Sequence, residues 1–449
     1  MAIVLAKFSA VSPARLAAFE ILRRVEDTGS FASILLADRA TELSAPDRAL
    51  AHELVLGVLR WQLWLGRLIE HYANRKLSSV DPTIQTILNL GLYQLRLLSR
   101  IPASAAVNES VNLVRRARLR SAEGFVNAVL RRAKREPDYD PVAEVLDPVE
   151  RLAVKTSHPP WLIQRWTKNF GTEETERLAV ANNQPAPVAF RVVNARSNRL
   201  EVVNRLRAAG ANVQASRVAK EGWRVAGAPD VVWELAREAR IYLQDEASQL
   251  VVEVVGARPE DRILDLCAAP GSKATQIAEQ LTQGRIIAAD LYGHRLKIVE
   301  QTSRQQQLAR ISCLLLDASQ SLPFPEESFD RVLLDAPCSG TGTLRRNPEI
   351  KWRISPHDIG DLATRQKLFL AKAARVVKPG GWLVYSTCSV EPEENEHLIT
   401  DFLGRESGFQ MAKPPVDASL ITTFGAIRTW PHRQGTDGFF IAAFSRQRL

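Results

Sequence analysis

The sequence predicts a doubly wound α/β domain in its second half, preceded by a small α+β subdomain and an all-helical domain. Three observations carry this. From about Ile241 short apolar runs alternate with helical stretches, residues 12–135 show only helical periodicity, and the part between them is mixed. At 449 residues the chain is too long for one ordinary domain. The expected divisions are 1–140, 141–240 and 241–449.

In the first part, Ser12-Pro13 reads as a helix start, and Ala14 to Val25 carries leucine, phenylalanine and isoleucine at helical spacing. Ala32 to Ala40, Asp47 to His71, Pro82 to Leu98 and Asn108 to Leu119 follow. Leu54, Val58, Trp61 and Leu65 form one such stripe. Glu136-Pro-Asp-Tyr-Asp-Pro141, Asp147-Pro148 and His158-Pro-Pro160 mark a linker holding one short helix. Beyond it, Trp161 to Phe170, Glu173 to Ala181 and Arg199 to Ala209 read as helices, and Val188 to Val193 as a strand.

In the last part, strands are expected at Arg262–Leu266, Arg285–Asp290, Ile311–Leu316, Val332–Leu334 and Trp382–Cys388. Helices are expected at Ser272–Leu281, His294–Gln307 and Ile359–Val377, the last stopped by Lys378-Pro-Gly-Gly381. Val332 to Leu334 is the continuous apolar run of a strand buried on both faces.

Composition narrows the function classes. The chain is 45% apolar and 24% charged, which is ordinary for a globular protein. No apolar run is long enough to span a bilayer, and Met1 to Leu5 followed by Lys7 is too short for a signal-peptide core. A cytoplasmic protein with no membrane contact is therefore expected. Four cysteines make no disulfide framework and none is spaced C-x-x-C, so reduced thiols and no metal are expected.

The net charge is +9, and residues 1–140 hold 20 Lys/Arg against 14 Asp/Glu, a net +6. Arg115-Arg-Ala-Arg-Leu-Arg120 and Arg131-Arg-Ala-Lys-Arg135 flank an apolar segment. One such patch is an ordinary solvated helix face; two together point to nucleic acid.

The chemistry sits at strand ends, where open α/β sheets bind ligands. Asp265-Leu-Cys-Ala-Ala-Pro-Gly-Ser-Lys273 lies between a strand and a helix, and its small residues let backbone approach a ligand. It is neither G-x-G-x-x-G nor a P-loop. Asp290 lies at the end of the next strand, where an acid accepts both ribose hydroxyls. Asp317 ends the third strand and suits an adenine amino group. With Asp335, these acids fit a cofactor bearing a sulfonium and an ammonium better than a pyrophosphate.

Two thiols also stand at strand ends. Cys338 follows Asp335-Ala-Pro, and Cys388 ends an apolar run. A thiolate adding to carbon 6 of a pyrimidine makes carbon 5 nucleophilic enough to take a methyl from a sulfonium. The attacking cysteine needs thiolate character, since a free thiol has a pKa of roughly 8.5. An acid such as Asp335 can hold cytosine N3, protonating it or stabilising its proton as charge develops. The residues alone leave open which thiol attacks. The side chains of Cys267 and Cys313 read as small core filler. The seven histidines are scattered, and no G-x-S-x-G supports a serine hydrolase.

Together, the Asp265–Lys273 stretch, Asp335-Ala-Pro-Cys-Ser-Gly340, Arg345-Arg-Asn-Pro-Glu-Ile-Lys-Trp352, Ser386-Thr-Cys-Ser-Val390 and Gly435-Thr-Asp-Gly-Phe-Phe440 resemble the RNA cytosine-5 methyltransferases. Gln244-Asp-Glu-Ala-Ser-Gln249 is similar to the motif preceding their catalytic sheet. Asp47-Arg-Ala-Leu-Ala-His-Glu-Leu-Val-Leu-Gly57 resembles the NusB-type RNA-binding domain. The pairing implies the bacterial Sun/Fmu/RsmB group, with a Rossmann-like methyltransferase sheet and 16S rRNA as substrate.

The resemblance implies Cys388 as nucleophile and Cys338 as an aid to product release. It implies that Cys267, Ala268, Ala269, Pro270, Gly271, Ser272 and Lys273, with Asp290, Asp317 and Asp335, contact S-adenosylmethionine. Ser272 stands where the family usually has a second glycine. A monomer acting on naked or assembling rRNA is expected. The alternative is a non-catalytic RNA-binding or ribosome assembly factor on the same fold, against which both thiols and Asp335 argue. Methylation of an exocyclic amine is disfavoured, because Asp-Ala-Pro-Cys replaces an Asn/Asp-Pro-Pro-aromatic motif.

Overall fold

Prolines in the first turn start several helices of the N-terminal third. Pro82 opens Pro82–Leu97 behind Asp81, whose carboxylate accepts the N–H groups of Thr83 and Ile84. Pro13 opens Pro13–Thr28 behind Ser12, whose hydroxyl instead accepts from the Arg15 guanidinium at 2.9 Å. The structure, a computed structural model, describes residues 11–448. The Met1–Leu5 stretch and Lys7, read above as too short for a signal core, lie outside the described residues. Among the described residues, no helix is long and apolar enough to cross a membrane.

Two compact units divide the chain. The first runs to Gln184 and includes Leu344–Arg353; the second comprises Pro185–Thr343 and Ile354–Leu449.

The first unit is helical. Leu54, Val58 and Leu65 of the apolar stripe are buried in its core. The stretch expected as one helix over Asp47–His71 is two, Ala45–Arg60 and Gln62–Ala73. The break falls at Trp61, and the Ser157 hydroxyl accepts the freed N–H groups of Leu63 and Trp64 at 3.0 and 3.3 Å. A cap from a residue distant in sequence leaves no local signal.

Both basic patches lie at the ends of helices, Ala103–Arg116 and Glu123–Arg135. Arg116, Arg118, Arg120, Arg131, Lys134 and Arg135 are exposed, while Val126, Val129 and Leu130 between them are buried. Segment Leu344–Arg353 belongs to this unit. Trp352 Nε1 donates to the Leu59 carbonyl at 2.7 Å, and the buried Lys351 ammonium to the Arg60 carbonyl at 2.9 Å.

The second unit carries two sheets. The smaller has order β2-β3-β1-β4, with β1 Val188–Val192, β2 Asn212–Ala215, β3 Gly222–Ala226 and β4 Ile241–Leu243, all antiparallel. Sequence reading found only β1 here, because β2 and β3 are short and largely exposed on one side.

The larger sheet comprises β5 Arg262–Asp265, β6 Arg285–Asp290, β7 Ile311–Leu315, β8 Phe329–Asp335, β9 Val377–Thr387, β10 Phe409–Met411, β11 Ile427–Arg428 and β12 Phe440–Arg446. Its order is β10-β12-β9-β8-β5-β6-β7, with β11 paired to β12. Strands β5 to β9 are mutually parallel, and β10 to β12 add an antiparallel edge.

The sheet is covered on both sides. Leu333 packs into the core on one face and Val332 and Leu334 into the core on the other. Burying side chains of this size contributes roughly 1.5–3 kcal/mol each. Strand β9 starts at Val377, so Lys378-Pro-Gly-Gly381 lies inside the strand rather than before it. A register shift opposite Phe329/Arg331 absorbs the proline and the left-handed Gly380.

Candidate active site

Strand order reverses between β5 and β8, and ligands of such sheets bind where it does. Reading across the carboxyl ends gives Asp317 just past β7, Asp290 on β6, Asp265 on β5 and Asp335 on β8. Next to β8 runs β9, leading to Cys388.

The two thiols meet because their strands are neighbours in register. Asp335 pairs with Ser386, and each chain then turns out of the sheet within three residues. Cys338 Sγ and Cys388 Sγ end 3.4 Å apart, both half-buried and both free thiols. The hydrogen bond with Cys388, together with burial, holds the Cys338 thiol well above its ordinary pKa.

Glu394 organises the turns that carry them. Its carboxylate accepts from the Ser339 N–H at 2.8 Å, the Ser339 hydroxyl at 2.5 Å and Gln366 Nε2 at 2.9 Å, and from the Ser389 hydroxyl. Burial raises its pKa, and these donors offset part of the penalty. Backbone contacts complete the frame: Gly342 N–H donates to the Cys388 carbonyl at 2.9 Å, and Gly438 N–H to the Gly342 carbonyl at 2.8 Å. A Cβ on Gly342 would lie 2.0 Å from the Gly438 carbonyl oxygen, so the close approach requires glycine.

Asp335 is held between two partners. Lys273 Nζ donates to its Oδ2 at 2.6 Å and the Ser386 hydroxyl to its Oδ1 at 2.7 Å. Burial opposes the Lys273 charge, but Asp335, Cys388 and Asp265 outweigh it and raise the lysine pKa. Asp265 is almost fully buried and neither carboxylate oxygen has a hydrogen-bond partner. Burial, reinforced by the negative charge of Asp335, pushes its pKa up to about 8.

The turn after Asp265 forms a cradle. Ala268 and Ala269 are small, Ala269-Pro270 is cis, and Gly271 has φ 107° where an added Cβ would press on Val299 at 3.1 Å. Ser272 opens the helix Ser272–Ala278, so a serine fits where a second glycine was expected. Asp290 accepts the N–H groups of Ala269 and Tyr292 at 3.2 and 3.0 Å. Asp317 accepts from Ser319, which lowers its pKa. Burial, then the surrounding acids, raise the Cys267 thiol well above its usual range, which makes it inert as a nucleophile.

The residues singled out from sequence thus fall on one edge of one sheet. Sequence reading missed Glu394 and Gln366, whose roles depend on loop and helix meeting in space. It also passed over Asp265 itself, although the residue heads the quoted motif.

Comparison with known proteins gives three matched stretches. Residues 252–445 match the 16S rRNA methyltransferase RsmB/F family, residues 12–135 the NusB family, and residues 158–232 the RsmF/B-like ferredoxin-like domain. A probable ribosomal RNA small subunit methyltransferase B of Synechocystis is 37% identical, covering 96% of this chain and 98% of that one. The corresponding Bacillus subtilis protein is 33% identical with the same coverage.

Among solved structures, PH0851 superimposes with a TM-score of 0.84 at 26% identity, covering 97% of this chain and 99% of the other. A methyltransferase homolog from Pyrococcus horikoshii gives 0.58 at 27% identity, covering 67% of this chain and all of that one.

Proposed function

The chain belongs to the ribosomal RNA small subunit methyltransferase B family and is an S-adenosylmethionine-dependent rRNA methyltransferase; from that premise we propose that it forms 5-methylcytosine in 16S rRNA through a cysteine–carbon-6 adduct. The observation that carries the reading is the approach of Cys338 and Cys388 to 3.4 Å beside Asp335. Exocyclic amine methylation needs no thiol, whereas carbon 5 needs one to attack and gains from a second to help release.

The donor fits the residues present. Asp265 offers two unpartnered buried oxygens, and the Ala268–Gly271 turn is a cradle that a larger side chain would fill. Cys267 to Lys273 would hold the donor by backbone and small side chains, with Asp290 and Asp317 further along the sheet. When bound, S-adenosylmethionine supplies an electrophilic methyl on a sulfonium.

The chain's own residues then act in sequence. Cys388, as thiolate, bonds to carbon 6 of a flipped cytosine, and the carbon 5–carbon 6 π electrons shift into the ring toward N3. Asp335, fixed by Lys273 and Ser386, holds N3 and relays a proton to it from the Lys273 ammonium, taking it back when the aromatic ring is restored. Those electrons, returning through carbon 5, would accept the methyl, the electrons of the broken sulfur–methyl bond staying with the donor sulfur as a neutral thioether. A base then removes the carbon-5 proton, and the carbon 6–sulfur bond breaks to release Cys388 as thiolate. Cys338 keeps its proton at neutral pH, which suits a proton partner to the departing Cys388 better than a competing nucleophile.

Within this reading, residues 1–140 and 141–240 grip RNA and 241–449 carry out the transfer. Nucleoside analysis of 16S rRNA methylated by the purified protein tests it. The reading requires 5-methylcytidine, and N4-methylcytidine or a methylated purine would refute it.

A further inference from the structure

Neither the Gln244–Gln249 stretch nor Thr436 has a part in the methyl-transfer steps, yet the two meet in the second unit. Asp245 is buried, and its Oδ1 accepts three donors: the Thr436 hydroxyl at 2.5 Å, the Asp437 N–H at 3.2 Å and the Ala247 N–H at 2.9 Å. The last of these caps the helix Glu246–Val255, so the carboxylate that starts a helix also holds a distant loop. The next residue secures the near end of that loop. Buried Glu246 pairs with Arg224 of β3, whose Nη2 donates to the Gln434 carbonyl at 2.9 Å.

The loop so fixed reaches both halves of the site. Gly438 donates its N–H to the Gly342 carbonyl at 2.8 Å, and a Cβ added to Gly438 would lie 3.0 Å from Gly342 Cα. Gly342 ends the turn that carries Cys338, and its own N–H donates to the Cys388 carbonyl at 2.9 Å. One residue beyond Gly438, the Phe439 ring faces the Lys273 ammonium, 5.3 Å from its centroid, and Lys273 in turn holds Asp335. Two backbones in contact cannot absorb a displacement by rotating side chains. Movement of Gly438 therefore passes to Gly342, and from there to the Cys388 carbonyl.

We propose that Asp245 and Thr436 are positioning residues for the two thiols, holding the Cys338 turn against Cys388 through Gly438 and Gly342. The inference rests on the reading of Cys388 as the nucleophile. It adds that the sulfurs keep their 3.4 Å spacing only while the bond between Asp245 and Thr436 is made. Thr436 is 1% exposed, so solvent does not stand in for its hydroxyl. A misplacement of about 1 Å far from the chemistry can cost about 100-fold in rate, and a shift of part of that distance costs less.

Thr436→Val removes the hydroxyl and keeps the shape. In the full-length protein, single-turnover methyl transfer to 16S rRNA should fall about tenfold, with S-adenosylmethionine affinity within about twofold of the parent. Thr436→Ser, which restores the donor, should recover most of the rate. The spacing of the sulfurs is read separately with diamide, whose N=N bond takes one hydrogen from each thiol and leaves a Cys338–Cys388 disulfide, located by peptide mapping. Closure should be about tenfold slower in Thr436→Val than in the parent or in Thr436→Ser, because the loosened pair loses effective concentration. Asp245→Asn, which still caps its helix, should slow both processes by about threefold, since a neutral acceptor holds the hydroxyl less strongly.

Transfer or closure unchanged in Thr436→Val would overturn the proposal, as would a Thr436→Ser variant no faster than Thr436→Val. Both rates unaffected by Asp245→Asn would do the same. Donor affinity falling in parallel with the rate would make the bond merely structural and overturn the positioning role. Diamide closure involves no pyrimidine, so slowed closure alongside a product other than 5-methylcytidine would refute the proposed reaction and uphold the positioning of the thiols.

Discussion

The sulfurs of Cys338 and Cys388 lie 3.4 Å apart, brought together by two adjacent parallel strands whose last paired residues are Asp335 and Ser386. Because the turns leave the sheet from the same level, the sulfurs share one space, and in the proposed mechanism they act on one base. Cys388→Ala should therefore abolish methyl transfer while leaving S-adenosylmethionine affinity within about twofold of the parent. Filter-based transfer assays and calorimetric donor titration check the two halves.

Lys273 and Asp335 form the ion pair under that space, with side chains 9% and 27% exposed. Lys273→Met leaves Asp335 beside the buried Asp265 with no countercharge. Full burial would make such a loss cost about 3–5 kcal/mol, and the partial exposure of Asp335 reduces the expected figure to about 2 kcal/mol. Urea unfolding measures it, and transfer should fall with it because Asp335 loses its fixed position.

Glu394 touches neither thiol, yet it accepts donors from the residues following both. It is a positioning residue. Glu394→Ala should lower kcat at least tenfold with KM for the donor little changed, and destabilise by about 3 kcal/mol as buried donors lose their acceptor. Glu394→Gln, which retains one acceptor oxygen, should recover part of kcat. A merely structural role would predict equal loss of donor binding.

Asp265 sets a pH dependence. Its folded pKa of about 8 stands above the unfolded 3.8, so between those values the native state binds the extra proton. Stability should then fall as pH rises through this window, by up to about 1.4 kcal/mol per unit from this group. Asp265→Asn removes the titrating group and should flatten the curve for the donor-free protein between pH 5 and 8, measured by urea unfolding at each pH. It should be the more stable protein at pH 8.

Much of the fold and of the candidate site is legible in the sequence. Val332–Leu334 reads as a strand buried on both faces, and the acids and thiols at strand ends mark the candidate site, because strand period and strand-end position are local properties of sequence. What stayed hidden depended on distant partners. The break at Trp61 is capped by Ser157, strand β9 begins inside a Pro-Gly-Gly run at a register shift, and Glu394 acts only where two loops meet. The placement of Leu344–Arg353 in the helical unit was equally out of reach, since its neighbours in sequence belong to the other.

The most direct test of the central claim is mass spectrometry of the Cys338→Ala variant incubated with S-adenosylmethionine and 16S rRNA. With release impaired, a protein–RNA adduct should accumulate, and peptide mapping should place the cytosine on Cys388. An adduct on another residue, or full turnover by Cys388→Ala under the same conditions, would contradict the account.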